Sequence, residues 1–347
     1  MVTGGTGFVG SHVVVGLLAS GHEVRLLVRR PELVADTFAP HVRSEAIAHG
    51  ISADDLVVGD VRDEAVVRQA LDGCDAVVHA AAVFTTDPRR AAEVAATNVA
   101  ATEAVLGLGA GAGCDPVIHI SSTVALTRRG PSGPDLPLGD IEMPYSLSKI
   151  ESERAARRLQ ETGVPVVTVY PGVVYGPHDP HFGDQAARLS FVVRGRLPMW
   201  PAGGYQSVDV RDVAATVVAV LTRGRGPRRY VVPGHHVGGT QLFRAVESAI
   251  GRRRPHLTLP KSIAGAATAP IDAVQARMPA SWRYPADREG VEITIRDTHL
   301  DDTPARLEFG LRPRVFDDTI RDTITWLVDA GHLGERYRPA LSATITG

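Results

Sequence analysis

A doubly wound α/β fold is what this 347-residue sequence predicts: a Rossmann-type parallel sheet with helices on both faces, and a smaller C-terminal lobe. Three observations carry that expectation. Short apolar runs alternate with helix-length segments up to about residue 170. The first run passes into a helix through a turn containing Gly4, Gly5, Gly7 and Gly10. Small and hydroxyl-bearing residues follow the ends of later runs, at the edge where open α/β sheets bind ligands.

The chain opens with Met1-Val2-Thr3. Buried parallel strands usually have about five or six residues, so an upstream start or a truncated first strand is expected. Gly4, Gly7 and Gly10 then recur at intervals of three, with Thr6, Phe8 and Val9 between them. Small residues let the backbone approach an anion, and N–H groups at a helix N-terminus face it. These six residues are therefore expected to cradle a diphosphate. An apolar helix over residues 11–20 closes at Gly21, and a second strand over residues 23–28 runs into Arg29-Arg30-Pro31. A fold that prefers NAD tends to place a carboxylate there for the ribose hydroxyls; Arg29 suits a 2′-phosphate instead.

A third strand ends in Gly59-Asp60-Val61, where Asp60 suits either an adenine contact or the cap of the helix that follows. Residues 75–79 form a fourth, followed by Ala80-Ala81-Ala82, small enough for a flat ligand to lie over the strand end. His79 is expected to be a packed strand-end residue. A helix over residues 89–108 carries Asn98 in its middle, which propensity disfavours and which points to a polar partner. Residues 116–120 form the fifth strand, with Ser121-Ser122-Thr123 at its end. A serine hydroxyl there can hold a carbonyl oxygen.

The expected chemistry lies in Pro144-Tyr145-Ser146-Leu147-Ser148-Lys149. A helix from about Pro144 to Glu161, closed by Gly163, places Tyr145 and Lys149 at i and i+4 on one face. A phenol with an ordinary pKa of about 10 is a poor acid-base catalyst at neutral pH. An ammonium about 4 Å away changes its ionisation by roughly 4 kcal/mol at an effective dielectric of ~20, so the pair needs a sheltered site.

Composition bounds the rest. A hydrophobic content of 44% with 22% charged residues is ordinary for a globular protein. A net charge of −2 makes no electrostatic case for nucleic acid or an anionic membrane, and neither is an expected partner. Cys74 and Cys114 show no disulfide or metal-ligand spacing, so a reducing cytoplasm and no metal are expected. The region 172–207 and the chain after Pro233 lack regular strand-helix alternation. The first domain is thus drawn over residues 1–170, with 207–232 returning to it, and 171–347 is assigned mainly to the substrate lobe. Residues 339–347 read as a loose tail.

Taken together, Thr3-Gly4-Gly5-Thr6-Gly7-Phe8-Val9-Gly10, Gly59-Asp60-Val61, His79-Ala80-Ala81, Ser121-Ser122 and Tyr145-x-x-x-Lys149 resemble the extended short-chain dehydrogenases/reductases of the NAD-dependent epimerase/dehydratase family. Pro171-Gly172-Val173-Val174-Tyr175-Gly176-Pro177, residues 208–214 and residues 304–311 resemble further motifs of that family. The resemblance implies catalytic Ser122, Tyr145 and Lys149, with Asn98 supporting a water relay. It also implies cofactor contacts at Asp60, Val61, Ala80, Ala81, Tyr145, Lys149, Pro171, Gly172 and Val173. Ser122 is preferred to Ser121 because Thr123-Val124-Ala125 aligns it with the catalytic position. Tyr170 departs from the family, which usually has arginine before Pro171.

The branch is read from site substitutions. Thr123-Val124 replaces the Asp-Glu pair of sugar-nucleotide dehydratases, leaving no acid and base for elimination. Arg29 and Val173 replace the carboxylate and asparagine of the epimerases. The pattern is more similar to dihydroflavonol 4-reductase-like and 3β-hydroxysteroid dehydrogenase-like members. It implies an NADP(H)-dependent oxidoreductase, with NAD(H) as the alternative cofactor, acting on a carbonyl or secondary alcohol of an apolar small molecule. Phe84, Val124, Tyr175 and Phe182 are expected on loops facing the substrate, with His178, Met199 and Trp200 as further candidates. An epimerase-type isomerase with bound NAD and a non-catalytic NADP(H)-binding sensor are the competing readings, and a homodimer is left open.

Overall fold

The computed structural model describes residues 1–41, 51–82, 91–266 and 288–340. Its strands are β1 (Val2–Thr3), β2 (Leu26–Val28), β3 (Leu56–Val58), β4 (Val77–His79), β5 (Val117–Ile120) and β6 (Val166–Tyr170). They continue with β7 (Val173–Tyr175), β8 (Met199–Pro201), β9 (Gly204–Asp209), β10 (Arg228–Val231), β11 (His235–Gly238) and β12 (Leu257–Leu259). Two compact units result. One comprises Met1–Gly172, Val210–Gly234 and Leu300–Arg312; the other comprises Val173–Asp209, His235–His299 and Pro313–Gly347.

In the first unit seven parallel strands lie in the order β10-β6-β5-β4-β1-β2-β3, a Rossmann-type sheet. Val, Ile and Leu dominate because parallel strands are covered on both faces, and Val77, Val117, Ile118, Val166 and Val167 have essentially no exposed surface. β3 is the edge strand, and its Val58 is 57% exposed. β1 is short but paired on both sides: Thr3 faces Leu27 in β2 and His79 in β4. Strand order reverses between β1 and β4, the switch point at which such sheets bind ligands.

The helix Pro144–Glu161 starts with proline in its first turn, where the fixed φ suits a helix and the missing N–H costs nothing. Its buried face is built mainly from small residues, Ser146, Ser148, Ser152, Ala155 and Ala156, and packs against the helix Ala91–Gly111. Leu300–Arg312 lies within the stretch assigned from sequence to the second lobe, yet it packs in the first unit. Polar contacts explain this. Asp302 accepts from the Gly234 N–H at 2.8 Å, Arg306 donates to the Gly234 carbonyl at 3.0 Å, and the Tyr230 hydroxyl donates to Glu308 at 2.6 Å.

The second unit holds β7 parallel to β9, with β11 antiparallel on the other side of β9, and a separate parallel pair of β8 with β12. Its core gathers Tyr175, Trp200, Tyr205, Phe243, Phe316 and Ile320 around the helices Gly239–Ile250 and Phe316–Asp329. Among the described residues, no helix is long and apolar enough to cross a membrane.

Candidate active site

The glycine loop is built by backbone proximity. Gly4 has φ +71°, and a Cβ there would lie 2.6 Å from the Ala81 nitrogen; one on Gly10 would lie 2.0 Å from the Gly4 oxygen. The Thr3 hydroxyl ties β1 to β4, 2.8 Å from His79 Nδ1 and accepting from the Ala81 N–H at 3.3 Å. Gly7 N-caps the helix Phe8–Ala19 with extended backbone and no side-chain cap, and the first turn carries no acidic residue. The leading N–H groups lack intrahelical acceptors, and the positive end of the helix dipole faces outward with them. A loop whose close backbone approach no side chain at Gly4 or Gly10 would permit, ending in an uncapped helix, fits a dinucleotide's diphosphate.

Immediately after β2, Arg29 and Arg30 are exposed. Asp60 is gripped by Arg62, whose Nε and guanidinium nitrogen donate to its two oxygens at 2.9 Å each. That pairing holds the Asp60 carboxyl near a pKa of about 2, with the charge of Arg29 adding to the effect. The helix cap anticipated as one role for Asp60 falls instead to Asp63, which accepts from the Ala65 and Val66 N–H groups at 3.0 and 3.4 Å. The difference is one of turn geometry: Asp60 meets Arg62 two residues on, leaving Asp63 at the N-cap.

Ser122 follows β5 and caps the short turn Thr123–Leu126, its oxygen accepting from the Val124 N–H at 3.3 Å. The Thr123 N–H donates to the Pro171 carbonyl at 2.9 Å, fixing this turn against the segment after β6. Tyr145 and Lys149 are half-buried on their helix, with Lys149 Nζ 6.0 Å from the Tyr145 ring centroid. Burial lowers the Lys149 ammonium to a pKa of about 8. Asn98 is buried and its side-chain amide donates to the Ser148 hydroxyl at 2.9 Å, while its backbone carbonyl accepts from the Thr102 hydroxyl at 2.8 Å. Asn98 thus holds the turn of helix between Tyr145 and Lys149.

Beneath this face lies a polar layer that the sequence reading missed. Glu153, one turn beyond Lys149, is fully buried; one of its oxygens accepts from the Tyr170 hydroxyl at 2.6 Å and from Arg157 Nε at 3.2 Å. Burial pushes both the Glu153 carboxyl and the Tyr170 phenol above their ordinary ranges. His119 stands 4.0 Å from the other Glu153 oxygen and stacks on His79 at 6.1 Å. Burial, helped by the charge of Lys149, lowers His79 to about 3, and it holds His119 well below its ordinary value. Both rings are neutral packing groups. The available signal was Glu at i+4 from Lys149, on a face otherwise made of small residues.

Of the expected substrate residues, Val124 is buried next to Ser122. Tyr175 ends β7 rather than lying on a loop; it is buried in the second unit's core, with its hydroxyl 3.2 Å from that of Tyr205. The strand Val173–Tyr175 is apolar throughout, and its last side chain turns into the core. Phe182 adopts φ +46° and stacks on His332 at 4.1 Å, and Trp200 packs in the core against Phe243. Phe84 lies outside the described residues.

The sheet order and the glycine cradle define a Rossmann-type nucleotide-binding unit. The chain belongs to the NAD dependent epimerase/dehydratase family, which matches residues 1–232. It is similar to sterol demethylase protein B of Methylococcus capsulatus, 26% identical over 95% of this chain and 98% of that protein. A putative dihydroflavonol 4-reductase of Synechocystis is also 26% identical, over 96% of this chain and 95% of its own length. Among solved structures, gox2253 superposes with a TM-score of 0.76 at 27% identity, covering 96% of this chain and 98% of that one.

Proposed function

We propose that this protein is an NADP(H)-dependent reductase that interconverts a ketone or aldehyde with its alcohol on an apolar small molecule. The observation that carries the proposal is Lys149 Nζ lying 6.0 Å from the Tyr145 ring on one helix, with Asn98 securing that helix through Ser148 and the turn capped by Ser122 packed against it. The glycine cradle and the helix N-terminus of Phe8–Ala19 would hold the diphosphate, and Arg29 the 2′-phosphate. Asp60, Val61, Ala80, Ala81, Pro171, Gly172 and Val173 are assigned further cofactor contacts. When bound, the reduced nicotinamide supplies hydride to the carbonyl carbon.

The chain's own residues then handle the oxygen. Tyr145 donates its phenolic proton to it, and Ser122 donates a hydrogen bond that fixes its position. Lys149, protonated below about pH 8, stabilises the phenolate left on Tyr145. Val124, beside Ser122, supplies an apolar contact. Relatives support the reductase reading: besides the putative dihydroflavonol 4-reductase, a Stigmatella aurantiaca ketoreductase whose substrate name contains a farnesyl group is 26% identical over 97% of this chain. Two free cysteines suit a reducing cytoplasm.

NADPH consumption against a panel of ketones and aldehydes tests the proposal. Turnover of apolar carbonyls is expected. Tight NADPH binding with no turnover would instead support a sensor, and nicotinamide absorbance in the freshly purified protein would support an isomerase.

A further inference from the structure

Among the described residues, one group of three potential metal ligands converges: His236 in β11, and Asp297 and His299 just after the helix Arg288–Arg296. All three lie in the second unit. One ligand atom from each falls within 4.8 Å of the others. His236 Nε2 is sealed from solvent and makes no hydrogen bond, although Asp297 Oδ1 is only 3.3 Å away. A ring nitrogen and a carboxylate oxygen this close without a hydrogen bond are suited to a shared cation. The separation fits as well: with metal–ligand bonds of about 2.0–2.2 Å, the edge of a coordination tetrahedron is roughly 3.3–3.5 Å.

The surroundings favour the same reading. A Cβ on Gly204 would lie 2.4 Å from His236 Cε1, so the backbone is pared away where the imidazole sits. Lys261 Nζ binds the other Asp297 oxygen at 3.1 Å, orienting the carboxylate with Oδ1 free for a metal. His299 is exposed, its ring stacked on His236 with centroids 3.7 Å apart. A turn of that exposed side chain through about an ångström would separate the rings enough for both to ligate one ion at ordinary bond lengths.

We propose that His236, Asp297 and His299 bind a zinc-class divalent transition metal. Two imidazoles select such an ion over magnesium or calcium, which take oxygen ligands. The one carboxylate is already shared with an ammonium, which further disfavours a hard cation. Bound there, the metal would tie β11 to the segment after Arg288–Arg296 and leave a fourth position for water. No sequence spacing announces the site, because His236 meets Asp297 and His299 only through the fold.

The test is a titration of the full chain, reduced and stripped by chelator, with Co²⁺ alone and then with competing Zn²⁺. One equivalent should bind with tetrahedral d–d absorption and no thiolate charge-transfer band, and Zn²⁺ should displace it. His299→Ala, at an exposed position that folding tolerates, should lower affinity at least about ten-fold, as should Asp297→Asn. Thermal melts without metal establish that each variant is folded. Absence of saturable binding, undiminished binding in His299→Ala, or a thiolate band from Cys74 or Cys114 would overturn the proposal. None of these readouts depends on reductase activity.

Discussion

Lys149 and Glu153 stand one turn apart on the same helix, yet the fold treats their charges in opposite ways. Glu153 is fully buried, and one of its oxygens accepts from both the Tyr170 hydroxyl and Arg157. Lys149 is only half-buried, and among the described residues no carboxylate pairs with it; its ammonium pKa is lowered to about 8 by burial. A buried charge that is neutralised locally fixes structure, whereas one left without a partner is available to stabilise charge created in a reaction. The Tyr145 ring lies 6.0 Å from this ammonium.

The sharpest way to break the comparison is to remove the proton donor. Tyr145→Phe should lose about 10²–10⁴-fold in kcat, the usual contribution of general acid-base catalysis, while NADPH affinity stays within a few-fold. Steady-state kinetics with a fluorescence titration check this, and more than half of wild-type activity would remove Tyr145 from the reaction. At the structural end of the helix, Glu153→Ala leaves Arg157 and the Tyr170 hydroxyl without their acceptor. Urea unfolding should show a loss of about 3–5 kcal/mol, the cost of breaking a buried pair from one side. A loss below about 1 kcal/mol would mean that Glu153 does not anchor the helix.

How much of this was legible depended on distance along the chain. The cradle could be read because Gly4, Gly7 and Gly10 act within one turn, and Tyr145 with Lys149 because a helix stacks i and i+4. Asn98 announced a polar partner, but not that the partner was Ser148. Glu153 was passed over because its partners come from β6 and from its own helix, and only the packed sheet makes its burial apparent. The loop expected for Tyr175 gives way to a strand because three residues carry too little pattern to separate core from lining. The Leu300–Arg312 segment rejoins the first unit through Asp302, Arg306 and Glu308, contacts with Gly234 and Tyr230 about seventy residues away in sequence.

Two smaller effects sharpen the account. Arg29→Asp should lower kcat/KM for NADPH about ten-fold or more and leave NADH unharmed, since a charge-assisted hydrogen bond to phosphate contributes roughly 1.5–3 kcal/mol. The comparison belongs at fixed low ionic strength, because the site is exposed and screened. A wild-type preference for NADH would contradict the role of Arg29. The smallest effect concerns Lys149 and pH. Its folded-state pKa of about 8 lies below the unfolded value, so between about 8 and the ordinary lysine range the unfolded chain binds more protons. The contribution of Lys149 to stability therefore rises with pH across that window. Activity should fall over the same window as the ammonium is lost, and Lys149→Arg should move that fall to higher pH.

The central claim is that hydride reaches the carbonyl carbon of a substrate while Tyr145 protonates its oxygen. The most direct measurement uses NADPH deuterated at its hydride-donating carbon, with mass spectrometry of the alcohol formed from the best carbonyl in the panel. One deuterium on the carbinol carbon, with equimolar oxidised cofactor, is the predicted result. A product without deuterium, or an isomerised substrate with no net cofactor oxidation, would contradict it.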